Sequence, residues 1–140
     1  MTDYMPNAYY DAISKTFDDV YHRDDADLQE DLAMVGDVIE QNVVGARVLD
    51  LGSGTGFWSR VASRWAESVV GLERSEEMIR VARSAEIPSN LAFTLGDVWE
   101  MMHVDGGFQA LIAVMWFSHV PKSRTQEFLE LVAKRVGPGG

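Results

Sequence analysis

The chain has 140 residues, no cysteine and a formal net charge of −10, with a sequence pI near 4.6. That length suits one domain with its own core, the missing thiols exclude a disulfide framework or a thiolate metal site, and the acidic field repels a phosphate backbone, which sets nucleic acid aside as a partner. Hydrophobic residues make up 46% and charged ones 24%, no apolar run is long enough to span a bilayer, and the start MTDYMPNAYYD lacks the basic and apolar regions of a signal peptide, so the expected location is cytoplasmic.

Residues 1–44 read as a helical cap. Ile13, Phe17 and Tyr21 recur one helical turn apart among the aromatics Tyr4, Tyr9 and Tyr10, which predicts a short helix. Asp24, Asp25 and Asp27 offer capping oxygens for a second one. Its apolar residues Leu28, Leu32, Val35 and Ile39 keep helical spacing, and Gly45 ends it.

Residues 45–140 read as a nucleotide-binding core. Arg47–Leu51 is a short apolar strand, followed by glycines at 52, 54 and 56 and a helical stripe of Phe57, Val61, Ala62 and Trp65. Residues 68–72 form a second strand closed by Glu73. Ser75 caps the next helix, with Glu76 and Glu77 in the first turn, where negative charge suits the helix dipole. Met78, Ile79, Ala82 and Ala85 are its inward face, and Pro88 stops it. A third strand, Leu91–Leu95, ends in Gly96-Asp97. After a loop containing Asp105-Gly106-Gly107, residues 110–115 read as a fourth strand. Ser123-Arg124-Thr125-Gln126 has the pattern of a capping box for a last helix, with Thr125, Leu129, Val132 and Val136 inward and Gly137-Pro138 as terminator. Strands alternating with helices in this way make βαβ units, a parallel sheet and a single α/β domain.

The chemistry gathers at Asp50-Leu51-Gly52-Ser53-Gly54-Thr55-Gly56. Glycines between a strand and a helix let the backbone turn sharply and let a ligand lie against peptide groups, in the crevice where open parallel sheets bind ligands. A dinucleotide fingerprint needs a further glycine where Phe57 stands, and a phosphate loop needs a lysine that is not there. Asp50, Glu73 and Asp97 fall at the ends of successive strands, at almost equal spacing, and aim into that one crevice. Glu73, at the second strand's end, suits a ribose diol.

The runs VLDLGSGTGFWS, VVGLERSEEM and FTLGDVWEM resemble the class I S-adenosylmethionine-dependent methyltransferases, especially their small-molecule members, from about residue 45 onward. The resemblance implies a Rossmann-like parallel sheet of order 3-2-1-4, ending before the fifth strand that in the family follows the turn at Gly137-Pro138-Gly139-Gly140. It implies S-adenosylmethionine as cofactor and S-adenosylhomocysteine as its product. Carried over by position, Gly52, Ser53, Gly54 and Gly56 line the methionine and ribose, and Asp50 organises the loop and the amino group. Glu73 holds the ribose hydroxyls, and Met78 or Arg74 flanks the adenine. Asp97 accepts from the adenine amino group, and the Val98 backbone meets the ring edge. Carbonyls around Val114 and Met115 face the methionine amino group. Gln109 departs from the pattern, standing where the family usually has aspartate.

A sulfonium methyl is already electrophilic, so alignment and exclusion of water are the chief needs, and a base is required only for an acceptor that arrives protonated. His119, just past the fourth strand, is the candidate base. Tyr9 and Tyr10 read either as part of a lid or as ordinary helix packing. No metal is called for. The expected partner is a small-molecule acceptor. The same residues also suit a module that binds cofactor without catalysis of its own, or an interaction protein in which the turn is a relic. Residues 110–115 are apolar on both faces and lack the lysine or proline that guards an edge, so the 3-2-1-4 order predicts a two-fold homodimer through that strand.

Overall fold

Val48, Leu49 and Leu51 have no solvent exposure, as a strand covered on both faces demands. In the computed structural model, which describes residues 6–137, they belong to β1 (Arg47–Leu51) at the interior of a parallel sheet. Its other strands are β2 (Ser68–Glu73), β3 (Leu91–Leu95) and β4 (Ala110–Ile112). The order is β3-β2-β1-β4, with Leu49 opposite Val70 on one side and Leu111 on the other. This is the Rossmann-like α/β arrangement the sequence predicts. Gln109 extends the ladder: its amide donates to the Arg47 carbonyl at 2.8 Å and its side chain accepts from the Arg47 amide at 3.1 Å.

Helices cover both faces: α1 (Asn7–Ile13), α2 (Ala26–Val43), α3 (Phe57–Ser63), α4 (Glu76–Ser84) and α5 (Thr125–Val136). On one face Val48, Val69 and Phe93 pack with Ile39 and Val43 of α2, Ala62 of α3 and Ile79 of α4. On the other, Leu49, Leu51 and Leu72 pack with Val98, Met101 and Phe128. Asp25 caps α2 by accepting the Leu28 amide at 3.1 Å, and Ser75 caps α4 by accepting that of Met78 at 3.2 Å. Among the described residues no helix is long and apolar enough to cross a membrane.

Five local expectations are corrected. The first helix stops at Ile13, and Phe17–His22 is a separate 3-10 turn, which lets Tyr21 stack on Phe57 at 4.0 Å between ring centroids. The helix after β2 ends at Ser84, so Ala85 stays exposed. β4 is three residues long rather than six, because the chain turns out of the sheet toward Met115, whose φ is +56°. The capping box does not form. Arg124 occupies the N-cap with no capping bond, and its guanidinium pairs with Glu127 at 2.8 and 2.9 Å. The inward residue of α5 is Phe128, against Trp99 and Trp116, while Leu129 is 53% exposed. Tyr4 and Pro138 lie outside the described residues.

Candidate functional site

The turn after β1 depends on glycine. Gly52, Gly54 and Gly56 have φ of +67°, +56° and +84°, a region that side-chain-bearing residues seldom enter. The amides of Gly52 and Ser53 both donate to the Leu72 carbonyl, at 2.9 and 3.1 Å, which hangs the turn on the end of β2. Glu73, only 8% exposed, completes the attachment. One carboxylate oxygen accepts the Gly54 amide at 2.8 Å, and the other accepts the amides of Arg74 and Ser75, both at 3.0 Å. A buried carboxylate needs such donors. Here they join the glycine turn to the start of α4.

Asp50 sits beneath this layer. It is buried, and its Oδ2 accepts from the Ser59 hydroxyl of α3 at 2.5 Å. Burial pushes its carboxyl up to about 7; the Ser59 bond opposes that rise and the charge of Glu73 adds to it.

A cavity of about 350 Å³ opens above the turn, within the range of small-molecule sites. Gly52, Ser53 and Gly54 form its floor, with Glu73, Arg74 and Met78 along one side. Val114, Met115, Trp116 and His119 close one end, and the roof comes from the N-terminal segment through Tyr9, Tyr10, Ile13, Phe17 and Tyr21. That segment is fastened at both ends: Asp11 accepts from the Ser75 hydroxyl and Asp18 from the Thr55 hydroxyl. Where roof meets end wall, the Tyr10 hydroxyl lies 3.3 Å from Nδ1 and 3.2 Å from Nε2 of His119. Partial burial raises the Tyr10 phenol, Arg74 opposes that, and Glu73 and Tyr9 add to it.

Of the residues singled out in the sequence, Gly52, Ser53, Gly54, Glu73, Arg74, Met78, Val114 and His119 therefore line one cavity. Four others stand beside it. Asp50 is below the floor. Gly56 opens α3, where a β-carbon would overlap the Phe93 ring. Asp97 accepts the Trp99 amide at 2.9 Å at the end of β3, and Val98 is buried in the second core cluster. Trp116, Ile13 and Phe17 were not anticipated as lining. Trp116 lies against Gly52 so closely that a β-carbon there would overlap its indole. Its adjacency to Phe117 and His119 was the available signal.

This architecture agrees with the comparisons. A family profile described as "Methyltransferase domain" matches residues 48–140. The chain belongs to the class I methyltransferase family. Among curated relatives of this methyltransferase domain, the demethylmenaquinone methyltransferase of Tropheryma whipplei is 32% identical over 97 residues, covering 69% of this chain and 39% of the relative. The ubiquinone biosynthesis O-methyltransferase of Erwinia tasmaniensis is 33% identical over 101 residues, covering 69% and 40%. The chain thus spans about two fifths of the length of these relatives. Among solved structures, DhpI in complex with SAH superposes with a TM-score of 0.78 at 31% identity, covering 96% of this methyltransferase chain and 63% of that one.

Proposed function

We propose that the cavity holds S-adenosylmethionine, releases S-adenosylhomocysteine, and directs methyl transfer to a small-molecule acceptor. The observation that carries this reading is Glu73, a buried carboxylate fixed by three backbone amides at the edge of the cavity, bonded directly to the glycine floor. A carboxylate accepts about four hydrogen bonds, so with three taken one position is left, on the oxygen that meets Gly54, for a ribose hydroxyl. The donor set suits the cofactor in two further ways. The floor offers peptide groups bare of side chains, and the buried hydroxyl of Ser53 has no partner among the described residues.

In this reading Gly52 and Gly54 admit the ligand against the backbone, and Glu73 binds a ribose hydroxyl. Arg74 and Met78 flank the adenine. Asp97 and Val98, at the neighbouring strand end, receive the outer edge of the ring, and the end of the fourth strand near Val114 receives the methionine amino group. When bound, the cofactor supplies a methyl group made electrophilic by its sulfonium. The N-terminal roof excludes water, and His119 takes a proton at a ring nitrogen when the acceptor arrives protonated. A second reading, cofactor binding without turnover by these residues alone, is favoured by the short matched length of the curated relatives. Pairing of a second copy along β4 is a separate part of the proposal, tested by light scattering across a concentration series; a monomer at every concentration removes it.

Calorimetry with S-adenosylmethionine, then turnover against an acceptor panel, tests the whole. Binding with turnover supports methyl transfer, binding without turnover selects the second reading, and no binding overturns both.

A further inference from the structure

Among the described residues, the roof and the end wall of the cavity meet in two polar contacts, a bond from the Tyr21 hydroxyl to the Met115 sulfur at 3.8 Å and a contact between Tyr10 and His119. Tyr10, from α1, places its hydroxyl within 3.3 Å of both ring nitrogens of His119, and the two rings meet edge to face at 6.0 Å between centroids. Both side chains line the cavity and neither is in the core. Around it the wall is aromatic or apolar through Tyr9, Met115 and Trp116. The charged groups on that side are Glu73 and Arg74 at the start of α4.

We propose that Tyr10 is the positioning residue of a Tyr10–His119 pair that takes the proton from an aromatic acceptor bearing a hydroxyl group. This rests on the cavity being the methyl-transfer site. The acceptor class follows from two observations. A largely aromatic, apolar wall favours a ring, and a base at the end wall serves an O–H acceptor, whereas a neutral amine already presents its lone pair. In the transfer step the acceptor's O–H bond breaks and the proton goes to a ring nitrogen of His119. The oxygen bonds to the methyl carbon as the carbon–sulfur bond breaks, its electron pair staying on sulfur. Tyr10 acts through His119. A phenol that keeps its proton can donate to the neutral ring, and its oxygen accepts an N–H from the charged ring. The second bond is the charge-assisted and stronger one. Burial, which disfavours the phenolate, keeps Tyr10 in the form that does both.

The test uses the full chain with its three histidines labelled with nitrogen-15 and His119 assigned through His119→Asn. In Tyr10→Phe the tautomer ratio of His119 changes, with Glu73 and Arg74 left in place. Calorimetry shows S-adenosylmethionine affinity within twofold of the parent. With phenol as acceptor, kcat of Tyr10→Phe falls about tenfold, less than the ~10²–10⁴ expected for His119→Asn. With 4-nitrophenol, which ionises without help, both losses shrink. An unchanged His119 tautomer ratio overturns the pair. So does equal loss on the two phenols, and methylation of amines but no phenol overturns the acceptor class. Failure of the parent to bind the cofactor overturns the functional reading instead, and the tautomer ratio then decides the Tyr10–His119 contact by itself.

Discussion

Asp50 and Glu73 are carboxylates at the ends of adjacent strands, and the fold uses them differently. Spacing places both at the crevice. It does not say how deep each lies. Both occupy the face of the sheet that carries Val48 and Val69, but Asp50 is paired beside Gly71 within the ladder and meets Ser59, while Glu73, two residues nearer the strand end, reaches the turn amides. A carboxyl raised to about 7, above its unfolded value near 4, keeps its proton in the folded state after the unfolded chain has lost it. The stability this contributes is complete below about pH 4 and is lost as pH rises to about 7, at roughly 1.4 kcal/mol for each pH unit crossed between those two values. Asp50→Asn should flatten that fall, measured by urea unfolding from pH 4 to 8. The parent's slope persisting in the variant would contradict the assignment. Glu73→Ala should weaken S-adenosylmethionine binding by about 1.5–3 kcal/mol through lost charge-assisted bonds. Asp97→Ala should cost less, since in the proposed reading Asp97 meets the outer edge of the ring from beside the cavity, whereas Glu73 both meets the ribose and fixes the glycine turn beneath it. Calorimetric dissociation constants in the reverse order would show the two roles exchanged.

At the scale of elements, local rules were readable wherever a neighbour did not compete. The alternation of strand and helix, the Ser75 and Asp25 caps and the glycine turn stand as their residues imply. The last helix does not, because its start is decided from outside. Arg124 is drawn to Glu127 and lies 3.6 Å from the centre of the Trp99 ring, and the Phe128 ring takes the inward place among tryptophans. The turn itself offers a controlled comparison. Gly45 and Gly52 have almost the same φ, +68° and +67°, yet nothing lies near a β-carbon at Gly45 while the Trp116 indole fills the place at Gly52. Gly45→Ala therefore should cost only the left-handed strain, about 1–2 kcal/mol. Gly52→Ala should cost more and displace Trp116, and pairing it with Trp116→Leu should recover part of the difference. Thermal unfolding of the three variants checks this; equal losses at the two glycines would mean that Trp116 does not rest on the turn.

At the scale of the molecule, the sheet order was legible because parallel βαβ units allow few topologies, whereas the role of the N-terminal segment was only half legible. Its aromatic spacing reads equally well as helix packing. What makes it a roof are contacts far apart in sequence: Asp11 with Ser75, Asp18 with Thr55, and Tyr21 stacked on Phe57. No local pattern encodes these. They have a consequence for ligand binding, because a molecule beneath the roof touches the segment and the core together. Any opening that lifts residues 7–22 off the core must then release the ligand. With S-adenosylmethionine at a hundred times its dissociation constant, such an opening becomes harder by about 2.7 kcal/mol, so exchange through it slows about a hundredfold. Hydrogen exchange with and without the cofactor should therefore show strong added protection in α1 and in the Phe17–His22 turn. The last turn of α5 supplies no residue to the cavity and can fray without disturbing it, so its exchange should barely change. Equal effects in the two regions would point to general stabilisation. Unchanged exchange in α1, with the cofactor shown to be bound, would mean that the segment does not cover the ligand.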